Sequence, residues 1–266
     1  MFLDEYGLPT QRDGDKNDQL QRVGMIVTAL CLKEEIGFRE LLERMIFRGA
    51  LAVELQPKPG IYTRYVGGDP ENVSADQLIA ALCAHVADYD WKQVRLMFKA
   101  CVKRFGFAQN VKDGLNGSEK KKIPDYLALR ALPLFVRAHW LCYPLAVVVD
   151  LLLVFAALAA CGPVWRDDKG FSKRSPDDVD DNCTIATLAV CRKRMPTPFS
   201  ILACKLYGKL RPWNLGCRMN IKKGAWWGTY EFHPVQGSLA WYHRAEAGGN
   251  PEIAELWAPI CEELFE

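Results

Sequence analysis

The sequence predicts an all-α protein: about ten helices in antiparallel pairs, forming a large helical bundle around a buried apolar central helix. Three observations predict it. Apolar residues recur at helical spacing through most of the 266 residues, and no stretch alternates as a convincing strand would. Residues that start and stop helices punctuate that pattern at short intervals. The run from His139 to Trp165 is apolar on nearly every side apart from Asp150, so something must surround it.

The first fifteen or so residues are polar, with Gly7, Pro9 and Gly14, and read as an arm or loop; we assign residues 1–17 to it. A helix begins near Asp18 and carries Leu20, Val23, Met25, Ile26, Val27 and Leu30 on a broad apolar face. A second runs from Phe38 to Arg48, with Leu41, Leu42, Met45 and Ile46 on one side and Gly49 as its stop. The connector Leu55–Val73 is rich in Pro and Gly, and it holds Tyr62, Arg64 and Tyr65. Loops of that length without structure of their own are often functional. Ser74-Ala-Asp-Gln77 is a capping box that opens the next helix. Another helix spans Trp91–Arg104, and 105–122 is a second polar connector.

Pro124 suits a first turn, and Pro133 predicts a kink or break in the helix that follows. Pro144 to Cys161 reads as about 27 Å of continuous helix at 1.5 Å per residue, ended by Gly162-Pro163. Ser175-Pro-Asp-Asp178 starts a helix that runs to about Arg194. Thr197-Pro198 starts another, through Tyr207. Residues 211–233 are irregular and rich in Trp, Gly and Lys; helices over 234–247 and from Asn250 onward close the chain. No linker divides these elements, so residues 1–266 read as one domain.

Composition excludes several classes. Half of the residues are hydrophobic and a quarter charged, as in ordinary globular proteins. The formal charge of +2 offers no field for nucleic acid, and no nucleic-acid partner is expected. The ten cysteines form no C-x-x-C and mostly lie in apolar helical pattern, as reduced core residues in a cytosolic setting would. Neither they nor the four histidines have metal-ligand spacing, so no metal and no cofactor is expected. The N-terminus lacks the basic and apolar regions of a signal peptide, which points to the cytoplasm rather than secretion. Asp150 at a bilayer centre would cost roughly 2.5–3.5 kcal/mol, an amount that the surrounding Leu, Val and Phe could outweigh. Basic residues flank the run on both sides without an orientation signal, and the other helices need a core. The run is therefore read as a soluble core helix, with Asp150 a buried acid in need of hydrogen-bond donors.

One local pattern recurs. Asp18-Gln19-Leu20 and Asp76-Gln77-Leu78 are identical tripeptides at helix starts, and Asp181-Asn182 is a close relative at a third. Acids and amides there satisfy free N–H groups and oppose the helix dipole, and Arg22 can pair with Asp18 one turn on. Taken together they predict a site. If alternate helices start at the same end, Asp15, Asp18, Asp76 and Asp181 meet at one rim, and crowded carboxylates can split into an acid and a base. Glycoside hydrolysis needs such a pair. Gln19, Arg22, Arg64, Gln77 and Asn182 would bind hydroxyls; Tyr62, Trp226, Trp227 and Tyr242 would offer flat faces to a sugar ring, and His243 could carry protons.

This arrangement of paired helices resembles the (α/α)-toroid proteins, which include many glycan hydrolases and lyases. The stretches RDGDKNDQLQRVGM, VSADQL, SPDDVDDN and WYHRAEAGGNPEIAELW also resemble uncharacterised helical proteins of bacteria and their phages. The first resemblance implies a toroid-like fold and a polysaccharide substrate. The second implies a host-cytoplasmic or virion location and the competing function, a non-catalytic structural protein that engages a protein partner in an assembly. A membrane-associated protein using the central run is a third reading.

Overall fold

The computed structural model describes residues 2–10, 16, 19–32, 37–70, 73, 75–104, 127–160 and 179–210, with the side chains at several element ends left out. These residues are overwhelmingly helical. The helices are α1 (Gln19–Leu32), α2 (Phe38–Ala52), α3 (Ala75–Ala87), α4 (Trp91–Arg104), α5 (Leu127–Phe135), α6 (Tyr143–Val149), α7 (Leu151–Ala160), α8 (Val179–Lys193) and α9 (Pro198–Leu210). Part of the arm expected to be a loop folds into a small hairpin, in which β1 (Phe2–Leu3) pairs antiparallel with β2 (Pro9–Thr10). Asp4 shapes its turn: one carboxylate oxygen accepts the N–H groups of Tyr6 and Leu8, both at 2.9 Å.

The buried centre is α1. All of its residues are buried, including Gln19, Gln21, Arg22 and Thr28. It packs on α3, which is buried from Gln77 onward and rich in alanine. Gly24 lets the two backbones touch: a Cβ there would lie 2.6 Å from the carbonyl carbon of Ala80. The two helices run in the same direction, because Gly24 faces Ala80 and, a little over two turns on, Cys31 Sγ reaches Asp88 Oδ1 at 3.5 Å. Helix α8 runs the same way beside α3. Cys83 Sγ lies 3.8 Å from Thr187 Oγ1, and Arg194 Nε donates to the carbonyl of Ala87 at 2.9 Å.

The run expected to form the central helix is organised differently. It is assigned as α6 and α7 on either side of Asp150, and among its described side chains the buried ones, Ala146, Asp150, Leu153 and Val154, lie on one side. Leu145, Val148, Leu151 and Phe155 are exposed. The acid finds its donors at this junction. Asp150 is completely buried and takes both oxygens to Arg137, at 2.9 Å to Nη1 and 2.6 Å to Nη2, while the Thr197 hydroxyl donates to Oδ2 at 2.5 Å. The backbone stays helical through the junction, with the Asp150 N–H on the Ala146 carbonyl at 2.8 Å and the Val154 N–H on the Asp150 carbonyl at 3.4 Å. Among the described residues, no helix is long and apolar enough to cross a membrane.

Three smaller expectations change. Gly49 does not stop α2, which continues to Ala52. The α2 stripe Leu41, Leu42, Met45 and Ile46 is exposed, and Phe47, Ala50 and Leu51 are what α2 buries. Pro133 lies within α5, and the chain changes to short 3-10 turns only at Val136–Ala138 and Trp140–Cys142. By contrast, Thr197 starts α9 as its sequence suggests: its hydroxyl accepts the Ser200 N–H at 3.1 Å, and the Ser200 hydroxyl accepts the Thr197 N–H at 2.9 Å.

Burial pushes the thiols of Cys31, Cys83 and Cys204 up to about 12, and that of Cys191 well above its ordinary value. Alkylation of Cys83, Cys191 and Cys204 at pH 8 is expected to follow global unfolding. Mass spectrometry finding fast modification of these three in native protein would contradict the packing described.

Candidate functional site

The direction of three helices sets the geometry of the rim. Gln19 lies five residues before Gly24, and Ala75 lies five before Ala80, its neighbour. Val179 lies eight before Thr187, and Ala75 eight before Cys83, its neighbour. At equal rise per residue, α1, α3 and α8 therefore begin at one level of the molecule. The acid–amide pairs belong to these three starts. Asp76, Asp181 and Asn182 lie in the first turns of α3 and α8, and their side chains are outside the described set. Asp15 and Asp18 lie outside the described residues, as do Trp226, Trp227, Tyr242 and His243.

The described members of the predicted site divide into anchors and inward-facing groups. Gln19 is fully buried: its amide nitrogen donates to Asp4 Oδ2 at 2.6 Å, and its amide oxygen accepts the Val66 N–H at 3.3 Å. It thus ties the hairpin and the connector to the start of α1. Arg64, half-buried, contributes through its backbone carbonyl, which accepts the Leu20 N–H at 2.9 Å and caps that first turn. Arg22 and Gln77 are buried.

Tyr62 also turns inward, and its partners form a chain of hydrogen bonds. Gln56 Nε2 donates to the Tyr62 oxygen at 2.6 Å, and that oxygen lies 2.6 Å from His85 Nε2. The phenol oxygen can accept from Gln56 and give its own proton to His85 Nε2 in the tautomer protonated at Nδ1. Nδ1 then carries the imidazole proton toward Asp90 Oδ2, 3.4 Å away. The amides of Gln56 and Gln93 pair reciprocally at 3.1 and 3.3 Å and hold the outer end. Burial pushes the Tyr62 phenol well above its usual value, so it stays protonated.

Asp90 is the N-cap of α4, accepting the Gln93 N–H at 3.3 Å. The hydrogen bond from His85 is the main cause that holds its carboxyl below the ordinary range. A carboxyl depressed by folding stabilises the fold above the unfolded value near pH 4, and that contribution is lost as pH falls through the lower folded value. Asp90→Asn keeps a capping side chain but cannot titrate. It is expected to flatten the acid limb of the urea midpoint plotted against pH, and an unaltered limb would show that Asp90 does not supply it.

The sequence reading missed Asp90, the cap of α4, and Asp88, which follows α3 where the helix dipole disfavours anions. That misfit was the available signal that cations must be close. Arg48 Nε lies 2.6 Å from Asp88 Oδ2 and Arg44 Nη2 lies 3.3 Å from Oδ1. Among the described residues, no group of three or more His, Cys, Asp or Glu side chains is placed to hold a metal ion. Compared with known protein families, curated proteins and solved structures, the chain matches none of them.

Proposed function

We propose that the protein is a glycan-acting enzyme, a hydrolase or lyase of (α/α)-toroid-like architecture, that works through carboxylates at a common rim. The observation that carries this reading is the shared starting level of α1, α3 and α8, each of which has an acid beside or within its first turn. Asp18, Asp76 and Asp181 serve as the acid–base set, with Asp15 beside them. Carboxylates gathered at one mouth shift one another's titration, so that one holds a proton while another stays ionised. Positioned acid–base catalysis of this kind contributes about 100-fold or more. Asp18→Asn, Asp76→Asn and Asp181→Asn keep the size and hydrogen-bonding oxygen of the side chain at or within a first turn, so each variant is expected to melt within a few degrees of the parent. Each should lose at least about 100-fold in the release of reducing ends or unsaturated sugars from a polysaccharide panel. Full turnover in all three variants would refute the reading.

A second reading, a non-catalytic structural or interaction protein of phage type, draws on the outward apolar residues. Leu41, Met45 and Ile46 of α2 and Leu145, Val148 and Phe155 of α6 and α7 are exposed, and apolar faces of this kind serve protein interfaces. Sedimentation of the purified chain as a large, regular oligomer without glycan turnover would favour it.

A further inference from the structure

Away from the rim, a cleft of about 300 Å³ opens between α2 and the C-terminal end of α3. Val27, Met45 and Leu51 give it an apolar floor, and Arg48, His85, Asp88 and Asp90 supply its polar groups. We propose that this cleft is a second binding site, for a small amphiphilic carboxylic acid with a hydroxyl or ammonium group opposite its carboxylate.

Arg48 sets the anionic end. Its Nε is fixed 2.6 Å from Asp88 Oδ2, and the Asp88 side chain is itself 6% exposed. Arg44 Nη2 approaches the other oxygen of Asp88 at 3.3 Å, so two guanidiniums share this carboxylate, while Asp90 brings a second negative charge to the far side of the cleft. The Arg48 side chain is 46% exposed, and among the described residues its two Nη groups take no acceptor. A guanidinium tethered by an ion pair at the edge of a cleft, with no acceptor on its Nη groups among the described residues, suits a planar carboxylate. Asp90 sets the other end. It is ionised at neutral pH, 31% exposed, and faces the cleft with His85 behind it. A hydroxyl or ammonium donor satisfies it, and the apolar floor takes the body between the two ends. Inorganic phosphate offers the same acceptor oxygens to Arg48 but no body for the floor, so it should bind more weakly.

The test titrates the 266-residue protein by calorimetry with 6-aminohexanoate, 4-hydroxyphenylacetate and 6-hydroxyhexanoate. Tyrosol, which replaces the carboxylate of 4-hydroxyphenylacetate with an alcohol, and inorganic phosphate are the comparators. At least one of the three acids is expected to bind, at least about tenfold more tightly than its comparator. Arg48→Gln should weaken that acid by at least about tenfold and leave tyrosol unchanged. Gly49→Leu is the second variant. Gly49 lines the cleft with open space around it, so the new side chain should obstruct the floor without touching a polar group. The proposal fails if none of the acids binds at millimolar concentration, if tyrosol or phosphate binds as tightly as the acid, or if both variants bind as the parent does. The rim plays no part in these outcomes, so failure here leaves the glycan reading to its own test.

Discussion

Asp150→Ala is expected to lower the free energy of unfolding by about 3–5 kcal/mol, the range for breaking one partner of a buried ion pair. The loss comes from what remains. Arg137, with its side chain fully buried, would keep its charge with the bidentate acceptor gone. Its other bonds go to carbonyls, from Nε to Arg194 at 2.9 Å and from Nη1 to Pro133, and these do not offset a full charge. The Thr197 hydroxyl would also lose an acceptor at the start of α9. One carboxylate therefore fastens the 3-10 segment after α5, the junction of α6 and α7, and the cap of α9. Replacing both partners together, as Arg137→Met with Asp150→Leu, should cost less than Asp150→Ala alone, because no charge is stranded. Urea denaturation checks both statements. A double variant less stable than Asp150→Ala would mean that the geometry of the pair, and not the stranded charge, dominates.

Gly24→Ala should destabilise by about 2–3 kcal/mol, the upper part of the usual cost of overpacking. The added methyl would meet backbone, with the carbonyl carbon and oxygen of Ala80 at 2.6 and 2.8 Å, so no rotamer change relieves it. Helices α1 and α3 would have to separate, and Cys31 and Asp88 would separate with them. Gly49→Ala is the matched control. Gly49 also lies inside a helix, but a Cβ there meets nothing within 4 Å, so the substitution should stabilise by about 0.5–1 kcal/mol through helix propensity alone. Thermal melts in which the two variants move in the same direction would contradict the close contact of α1 and α3.

Local chemistry determined the helices and several of their starts, though not the end of α2, which runs past Gly49. The span Trp91–Arg104 is the one the periodicity predicts, and α1, α3 and α9 begin within a residue of their capping signals. Capping and periodicity act over a few residues, which is why a sequence discloses them. The acid–amide starts were legible in the same way, down to their repetition. Their common level was not, because it follows from Gly24 meeting Ala80 and Cys83 meeting Thr187, contacts between distant parts of the chain.

Hydropathy alone misplaced the centre. It favoured the greasiest run, yet Leu145, Val148 and Phe155 of that run are exposed, and α1 is buried whole with two glutamines and an arginine aboard. Burial depends on which surfaces find partners, and a small residue at a crossing can decide that ahead of how apolar a segment is. The cleft, too, was decided by the tertiary structure. Arg194 Nε and Nη2 donate to Ala87 and Cys31, closing the ends of α3 and α1, and its guanidinium lies 4.4 Å from the centre of the Tyr89 ring. The turn they hold carries Asp88 and Asp90 to the arginines of α2. The sequence by itself determined the helical elements and the chemistry at their starts. The tertiary structure decided the buried centre, the common starting level of α1, α3 and α8, and the cleft beside α2, because each depends on residues that only packing brings together.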